Sequence, residues 1–229
     1  MNQQALSRIL RVGAVLGCVL VLLLQVLPAR AEIASSHHDF SWGSLGGGEI
    51  CAPCHTPHDA DDSVTAAPLW NHALTASTFT LYSSDTLDAT PGQPSGVSKL
   101  CLSCHDGTVA IDSFGGDTGS SYVTGQGLTG TVLTGHHPVS FVYDATLAST
   151  DGELANPSST SSGLGSTIAN DLLFDGRLEC SSCHDVHIER NTQGCSGCHS
   201  AHGGPLYKES LSLRKSNASS ALCLTCHVK

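Results

Sequence analysis

Five short motifs of identical spacing hold ten of the eleven cysteines in this chain of 229 residues. Each motif is a C-x-x-C pair followed directly by a histidine, and we number the motifs 1 to 5 in chain order. A disulfide framework would explain paired cysteines but would not need a histidine after every pair. Zinc ribbons also use C-x-x-C pairs, but histidine binds the zinc in only some of them. A thioredoxin-like site needs one C-x-x-C pair on a βαβ unit, not five. The five histidines therefore argue against all three classes of site.

The spacing C-x-x-C-H is the attachment signal for c-type haem. Two intervening residues place both thiols where they can form thioethers with the two vinyl groups of one porphyrin, and the next residue presents an imidazole to the iron. The sequence therefore predicts five covalently attached haem c groups. The predicted attachment residues are Cys51 and Cys54, Cys101 and Cys104, Cys180 and Cys183, Cys195 and Cys198, and Cys223 and Cys226. The predicted proximal iron ligands are His55, His105, His184, His199 and His227.

The composition agrees with an interior filled by cofactor. The chain has 24 glycines and only 5 Phe, 4 Tyr and 2 Trp, which is a weak side-chain core for this length. We therefore predict the fold class of a multihaem cytochrome c. Its core would be packed with haem, and its chain would be mostly coil, with short α-helices at the C-x-x-C-H motifs and a few short β-strands.

The second axial ligands must come from the other histidines, because the only methionine is Met1 in a predicted signal peptide. Three of these histidines follow a proximal histidine by three residues, at His58, His187 and His202. Residues i and i+3 share a helix face, so the second ring cannot cross its own porphyrin but can reach the iron of a neighbouring haem. We predict all three as distal ligands.

The remaining histidines are two tandem pairs and one isolated residue, namely His37-His38, His136-His137 and His72. Pro138 favours an extended conformation at His137, which projects the ring away from its own backbone. We therefore predict His137 and, from its local context, His38 as the last two distal ligands. His72 is the reserve candidate, although a surface or hydrogen-bonded histidine is the preferred interpretation there. All five irons would then have two histidine ligands, which favours low potentials and leaves no open position for a substrate.

The first segment, 1–31, has the features of a cleaved signal peptide. Arg8 and Arg11 precede the apolar run Val12–Leu27, and the A-x-A cleavage site ends at Ala31. An uncleaved anchor is the alternative, but the run is shorter than the ~20 residues of a spanning helix. A lipoprotein cleavage site at Cys18 would leave an apolar tail on the protein. We predict export to the periplasm or the cell exterior, with no membrane span after cleavage.

Three regions follow the predicted signal peptide. Region 32–106 holds motifs 1 and 2, region 107–176 is rich in Gly, Ser and Thr and holds no motif, and region 177–229 holds motifs 3 to 5. We expect one haem-packed domain over 32–229. We expect region 107–176 to form loops and small hairpins on haem faces and to supply a distal histidine, the alternative being a disordered linker. Its strand-like runs are Thr131–Thr134, Val139–Asp144 and Leu172–Phe174.

Several longer runs around the motifs strengthen this interpretation. They are Glu49–His58, Leu100–Thr108, His137–Phe141, Asp175–His187 and Leu222–His227. Together they resemble small multihaem cytochromes c of metal-reducing and sediment bacteria, whose haem proteins often carry the doubled C-x-x-C-H label, and the resemblance covers most of Ser36–Lys229. It implies four haems, with distal histidines at the positions of His38, His58, His137 and His187. This chain departs from it by an insertion of roughly Asn191–Ser210, which adds the fifth motif and His202.

Three functions remain for comparison. The first is electron transfer outside the cytoplasm, with other redox proteins such as cytochromes as partners. The second is a subunit of an extracellular cytochrome filament, because some tetrahaem relatives stack haems across subunits. The third and least favoured is a multihaem reductase, because such enzymes need an open iron and often an altered motif such as C-x-x-C-K. We therefore predict an electron carrier and not an enzyme. Ten basic and 20 acidic residues give a net charge of −10, so nucleic-acid binding is not expected.

Overall fold

The computed structural model describes residues 33, 36–41, 45, 47–64, 69–187 and 212–228. These residues belong to one compact unit, Glu32–Lys229. The predicted signal peptide, motif 4 and His202 lie outside the described residues. No helix in the described part of the chain is long and apolar enough to cross a membrane.

Regular structure within these ranges is short. The α-helices are α1 (Gly96–His105), α2 (Ala145–Asp151), α3 (Ile168–Leu172), α4 (Cys180–Cys183) and α5 (Cys223–Cys226). Two 3₁₀ turns are Gly125–Gly127 and Ala218–Ser220. Strand β1 (Phe141–Val142) pairs antiparallel with β2 (Arg177–Leu178), with Phe141 opposite Leu178. The prediction of a mostly coil chain with a few short helices and little strand is confirmed.

The helices coincide with three of the motifs. Motif 2 ends α1, and motifs 3 and 5 form α4 and α5. The predicted helix at motif 1 is wrong. There the backbone N–H of His55 donates to the carbonyl of Cys51 at 2.8 Å, but this single turn does not continue as a helix. Pro53 explains the difference, because its ring disfavours the helical conformation of the residue before it and it has no N–H to donate.

Region 107–176 is more structured than the sequence predicts. It supplies most of a hydrophobic cluster of seven buried residues, namely Phe141, Tyr143, Ala148, Ala155, Ile168, Leu172 and Leu178. Two helices with side-chain caps build this cluster, since Asp144 accepts from the backbone N–H of Leu147 at 2.8 Å and Thr167 accepts from that of Asn170 at 3.3 Å. The protein therefore has a hydrophobic core of side chains in addition to the space that haem groups would occupy.

The three strand-like runs of this region have different outcomes. Val139–Asp144 contains β1, as expected. The strand at Leu172–Phe174 is a wrong prediction, because Leu172 ends α3, which Thr167 caps. In Thr131–Thr134 the structure has only an isolated bridge, in which Leu133 donates to the carbonyl of Thr80 at 2.8 Å. Short apolar runs fit a helix or a strand equally well, and tertiary packing decides between them.

Helix α1 contributes one leucine to each of two smaller hydrophobic clusters and also contacts motif 3. Leu100 packs with Val64 and Trp70, and Cys54 of motif 1 lies against this group. Leu102 packs with Phe79 and Leu133. On the same helix, the buried hydroxyl of Ser98 accepts from the backbone N–H of Cys180 at 2.9 Å. Motif 2 is therefore held between motif 1 and motif 3.

Candidate haem-binding sites

Three of the predicted proximal histidines each face a second histidine from a distant part of the chain. In every pair the second ring is one of the predicted distal ligands. The distances between ring centres are 5.9 Å for His105 and His38, 6.1 Å for His55 and His187, and 6.3 Å for His227 and His137. The three pairs differ in sequence separation and in local structure, yet their spacing is nearly the same.

This spacing is the one that two imidazoles on opposite sides of one metal ion require. A metal–nitrogen bond of about 2 Å and a further distance of about 1.1 Å from that nitrogen to the ring centre give about 6 Å between the two centres. Ordinary aromatic pairs are also found at this separation, as for His55 and Trp70 at 6.1 Å and His38 and Phe40 at 6.3 Å. The three pairs differ from these because both rings are histidines and one of them belongs to a C-x-x-C-H motif, so each pair fits two histidines that would hold one iron.

The hydrogen bonds of the rings support the same interpretation. In each pair one ring is bonded through Nδ1. The Nδ1 partners are the carbonyl of Gly127 for His105 at 2.6 Å, the carbonyl of Pro138 for His137 at 2.9 Å, and Oδ1 of Asp185 for His187 at 3.1 Å. A neutral imidazole that donates through Nδ1 carries its lone pair on Nε2, and such a bond is what fixes the tautomer of metal-ligating histidines.

His72 gives an internal contrast. This ring is buried, with 3% of its surface exposed, and its Nδ1 and Nε2 lie 2.7 and 2.9 Å from the carbonyl oxygens of Ala73 and Ala110. Both ring nitrogens are therefore engaged by backbone. The structure favours the hydrogen-bonded histidine that the sequence analysis preferred at this position.

The environment of His38 favours the neutral form of its ring. Burial, and then the nearby imidazole of His105, lowers its pKa from 6.5 to about 4. A neutral imidazole is the form that binds a metal. Asp39, the next residue, is buried and accepts from both the backbone N–H and the hydroxyl of Ser41, which holds this short segment in place.

Motif 5 is held against the region that carries His137. The carbonyl of Cys226 accepts from Ala155 at 2.8 Å, and the N–H of Val228 donates to Glu153 at 2.7 Å. The start of α5 is set by Asn217, which is 1% exposed and accepts from the N–H of Leu222 at 3.0 Å. These bonds place His227 beside region 107–176, where the opposing ring is found.

Motif 3 begins at a buried carboxylate that the sequence analysis did not single out. Glu179 is 1% exposed, caps α4 together with Ser182, and accepts from the hydroxyl of Ser140 at 2.8 Å. Burial raises the pKa of Glu179 above its ordinary value. The bond to Ser140 ties motif 3 to the start of β1, only three residues after His137.

The motif cysteines are available for attachment, since none of the eight in the described ranges forms a disulfide. Neighbouring motifs meet through these residues. A hydrogen bond with Cys180, and then burial, raises the pKa of the Cys101 thiol. Burial, and then the proximity of Cys54, raises the pKa of Cys104 to about 12. Motif 2 therefore adjoins motif 3 at its first cysteine and motif 1 at its second.

The roles of the other predicted site residues are not tested by the three ring pairs. His58 and His184 both lie on the exposed surface, and their roles stay predictions. Cys195, Cys198, His199 and His202 lie outside the described residues. Sequence reasoning also missed the Nδ1 partners. Asp185 could have been noticed because it lies two residues before His187, whereas nothing in the sequence relates Gly127 to His105.

The comparisons with known proteins concern the end of the chain. A family model described as the doubled CXXCH motif matches residues 189–229, which contain motifs 4 and 5. No match was found among curated proteins. The family match supports a multihaem c-type cytochrome-like protein, and the C-x-x-C-H motifs indicate covalently bound haem c.

Proposed function

We propose that the chain is a pentahaem c-type cytochrome that transfers electrons outside the cytoplasm through haems with two histidine ligands each. The observation that carries the proposal is the set of three opposed ring pairs, whose centres are 5.9 to 6.3 Å apart. Each pair contains a histidine of a C-x-x-C-H motif. Each also contains a histidine that the sequence analysis chose as a distal ligand.

The residues that would hold each cofactor follow from the motifs. Two cysteines would attach the porphyrin, and the adjacent histidine and the opposed histidine would both hold its iron. His38 would serve motif 2, His187 motif 1 and His137 motif 5. When bound, haem supplies a one-electron couple. The protein would orient each ring, and two histidine ligands would leave the iron no open position for a substrate.

Motifs 1 and 3 would exchange their second histidines. His187 follows motif 3 but faces His55 of motif 1 at 6.1 Å, so the two motifs lie side by side. The symmetrical contribution from motif 1 is His58, which we assign to the iron bound by His184. We assign His202 to the fifth site by the same spacing of three residues.

Contacts between motifs support rapid transfer within the molecule. The thiols of Cys101 and Cys180 lie close enough for each to affect the pKa of the other, and Cys54 affects that of Cys104, so thioether bonds of different haems would lie close together. Porphyrin edges carried by these sulfurs would then be near neighbours. An electron that entered at one motif could cross from motif 1 through motif 2 to motif 3.

Intact mass of the exported protein, combined with a redox titration of its haem absorbance, tests the proposal. We expect a mature chain that begins at Glu32, carries five covalent haems and is reduced by five electrons. A mass that fits four or fewer haems contradicts the stoichiometry. A retained 1–31 segment contradicts the proposed cleavage, and a haem absorbance that no electron donor can change contradicts the carrier function.

A further inference from the structure

One of the opposed rings has a hydrogen-bond partner of a different kind. The Nδ1 atoms of His105 and His137 are bonded to backbone carbonyls, whereas the Nδ1 of His187 is bonded to the carboxylate of Asp185 at 3.1 Å. A carbonyl is a neutral acceptor, and a carboxylate carries a full negative charge. The three rings are therefore not electronically equivalent as iron ligands.

Hydrogen bonds to both the side chain and the backbone of Asp185 hold its carboxylate in place. Oδ1 of Asp185 also accepts from the backbone N–H of His187 at 2.9 Å, and the backbone N–H of Asp185 donates to Ser212 at 2.8 Å. The side chain of Asp185 is 26% exposed, against 53% for that of His187. The short loop after α4 thus presents a fixed negative charge to the Nδ1 side of the ring.

A charged acceptor on Nδ1 increases the electron density at Nε2. An imidazole that shares its Nδ1 proton with a carboxylate is a stronger donor to a metal, and this outer contact is one of the ways in which a protein sets the potential of bound iron. A stronger donor stabilises the ferric state more than the ferrous state. The nearby negative charge acts in the same direction, because it opposes the addition of an electron.

We propose that Asp185 is a positioning residue that acts through His187 to give the haem of motif 1 the lowest potential of the three paired sites. This inference rests on the proposed function, since it requires His55 and His187 to bind one iron. Reduction of this site adds one electron, which the redox partner supplies. The Nδ1 proton stays on the ring, and the hydrogen bond to Asp185 is present in both oxidation states.

The consequence is an order of filling within the molecule. Electrons delivered to the protein would occupy the sites of motifs 2 and 5 before that of motif 1. The site with the carboxylate would then be the last of the three to be filled and the strongest reductant among them once filled.

Asp185→Asn in the mature, haem-loaded protein tests this assignment. Asparagine keeps an oxygen that can accept from Nδ1 and from the backbone, so the substitution removes the charge and leaves the geometry. We expect the midpoint potential of one haem, that of motif 1, to rise while the other four stay in place. The electron paramagnetic resonance signal of the same iron should also change its g values and remain low-spin.

Asp62→Asn is the matched control. This residue is exposed and close to motif 1 in sequence, and it lies outside every ring contact described above. Its substitution removes the same charge and should leave every potential unchanged. If Asp185→Asn keeps every iron low-spin but moves no potential, or moves the potentials only as Asp62→Asn does, the role of Asp185 is refuted while the proposed function stands. A high-spin iron in the unsubstituted protein would instead refute the proposed ligation.

Discussion

Substitution of His137 by alanine isolates one axial ligand and has a matched control in the adjacent residue. The ring of His137 faces His227 at 6.3 Å and is oriented by the carbonyl of Pro138 at 2.9 Å. His136 is also exposed and differs by a single step along the chain. Both substitutions remove an imidazole from the same turn. A difference between the two variants therefore reports which histidine binds iron.

The expected magnitude is one iron in five. His137→Ala should turn one fifth of the haem high-spin, and the reduced variant should bind one carbon monoxide per chain, whereas the unsubstituted protein binds none. The haem itself stays attached, because Cys223 and Cys226 are still present. Ligation by His137 and His227 would also close a long loop. By the cross-link estimate, its loss lowers the free energy of unfolding by up to about 5 kcal/mol.

Carbon monoxide titration of the dithionite-reduced variants measures the number of open irons, and the absorbance of the oxidised proteins reports their spin state. His136→Ala should behave as the unsubstituted protein does. If His136→Ala opens an iron and His137→Ala does not, the choice within this tandem pair is wrong. If neither variant opens an iron, His227 has a different partner and the use of ring spacing as evidence of ligation fails.

Three further expectations concern stability and association. Ile168 is 0% exposed in the cluster of region 107–176, so Ile168→Ala should lower the free energy of unfolding by about 2–5 kcal/mol in urea melts, without changing the spin state. Because burial raises the pKa of Glu179 above 4.5 on folding, its contribution to stability is present at low pH and is lost as pH rises through the folded value. Glu179→Gln should therefore remove part of the decrease in stability between pH 4.5 and neutrality, and an unchanged pH profile would contradict this. Without Arg8, Arg11 and Arg30 of the predicted signal peptide, the mature chain has 7 basic and 20 acidic residues and a net charge of −13. Such a carrier should stay a monomer with only low-spin haem from low to moderate salt, whereas filaments, or monomers with one high-spin haem, would favour a ligand bridged between subunits.

The residues of the candidate haem sites could be named from the sequence because haem attachment is encoded locally. The motif sets both cysteines and one histidine within five residues, and the spacing of three residues selects His187. The partner of each ring was not predictable, because it depends on which segments meet in three dimensions. The contact of His187 with His55, rather than with another motif, joins residues 132 positions apart and has no local signal in the sequence.

The fold was harder to predict than the site. Scarce aromatics and many glycines hid the cluster around Ile168, because region 107–176 builds it from scattered apolar residues and two capped helices. By contrast, the missing helix at motif 1 had a visible cause, since Pro53 stands between its two cysteines. Sequence patterns therefore predicted the structure where one residue determines the backbone conformation. They did not predict it where packing between distant segments determines the conformation.

The central claim is that every iron in this protein has two histidine ligands. Its most direct test is a quantitative electron paramagnetic resonance spectrum of the fully oxidised mature protein, integrated against the haem content of the same sample. We expect low-spin signals to include all of the haem and no high-spin ferric signal at neutral pH. A high-spin signal equal to one or more haems per chain would contradict it.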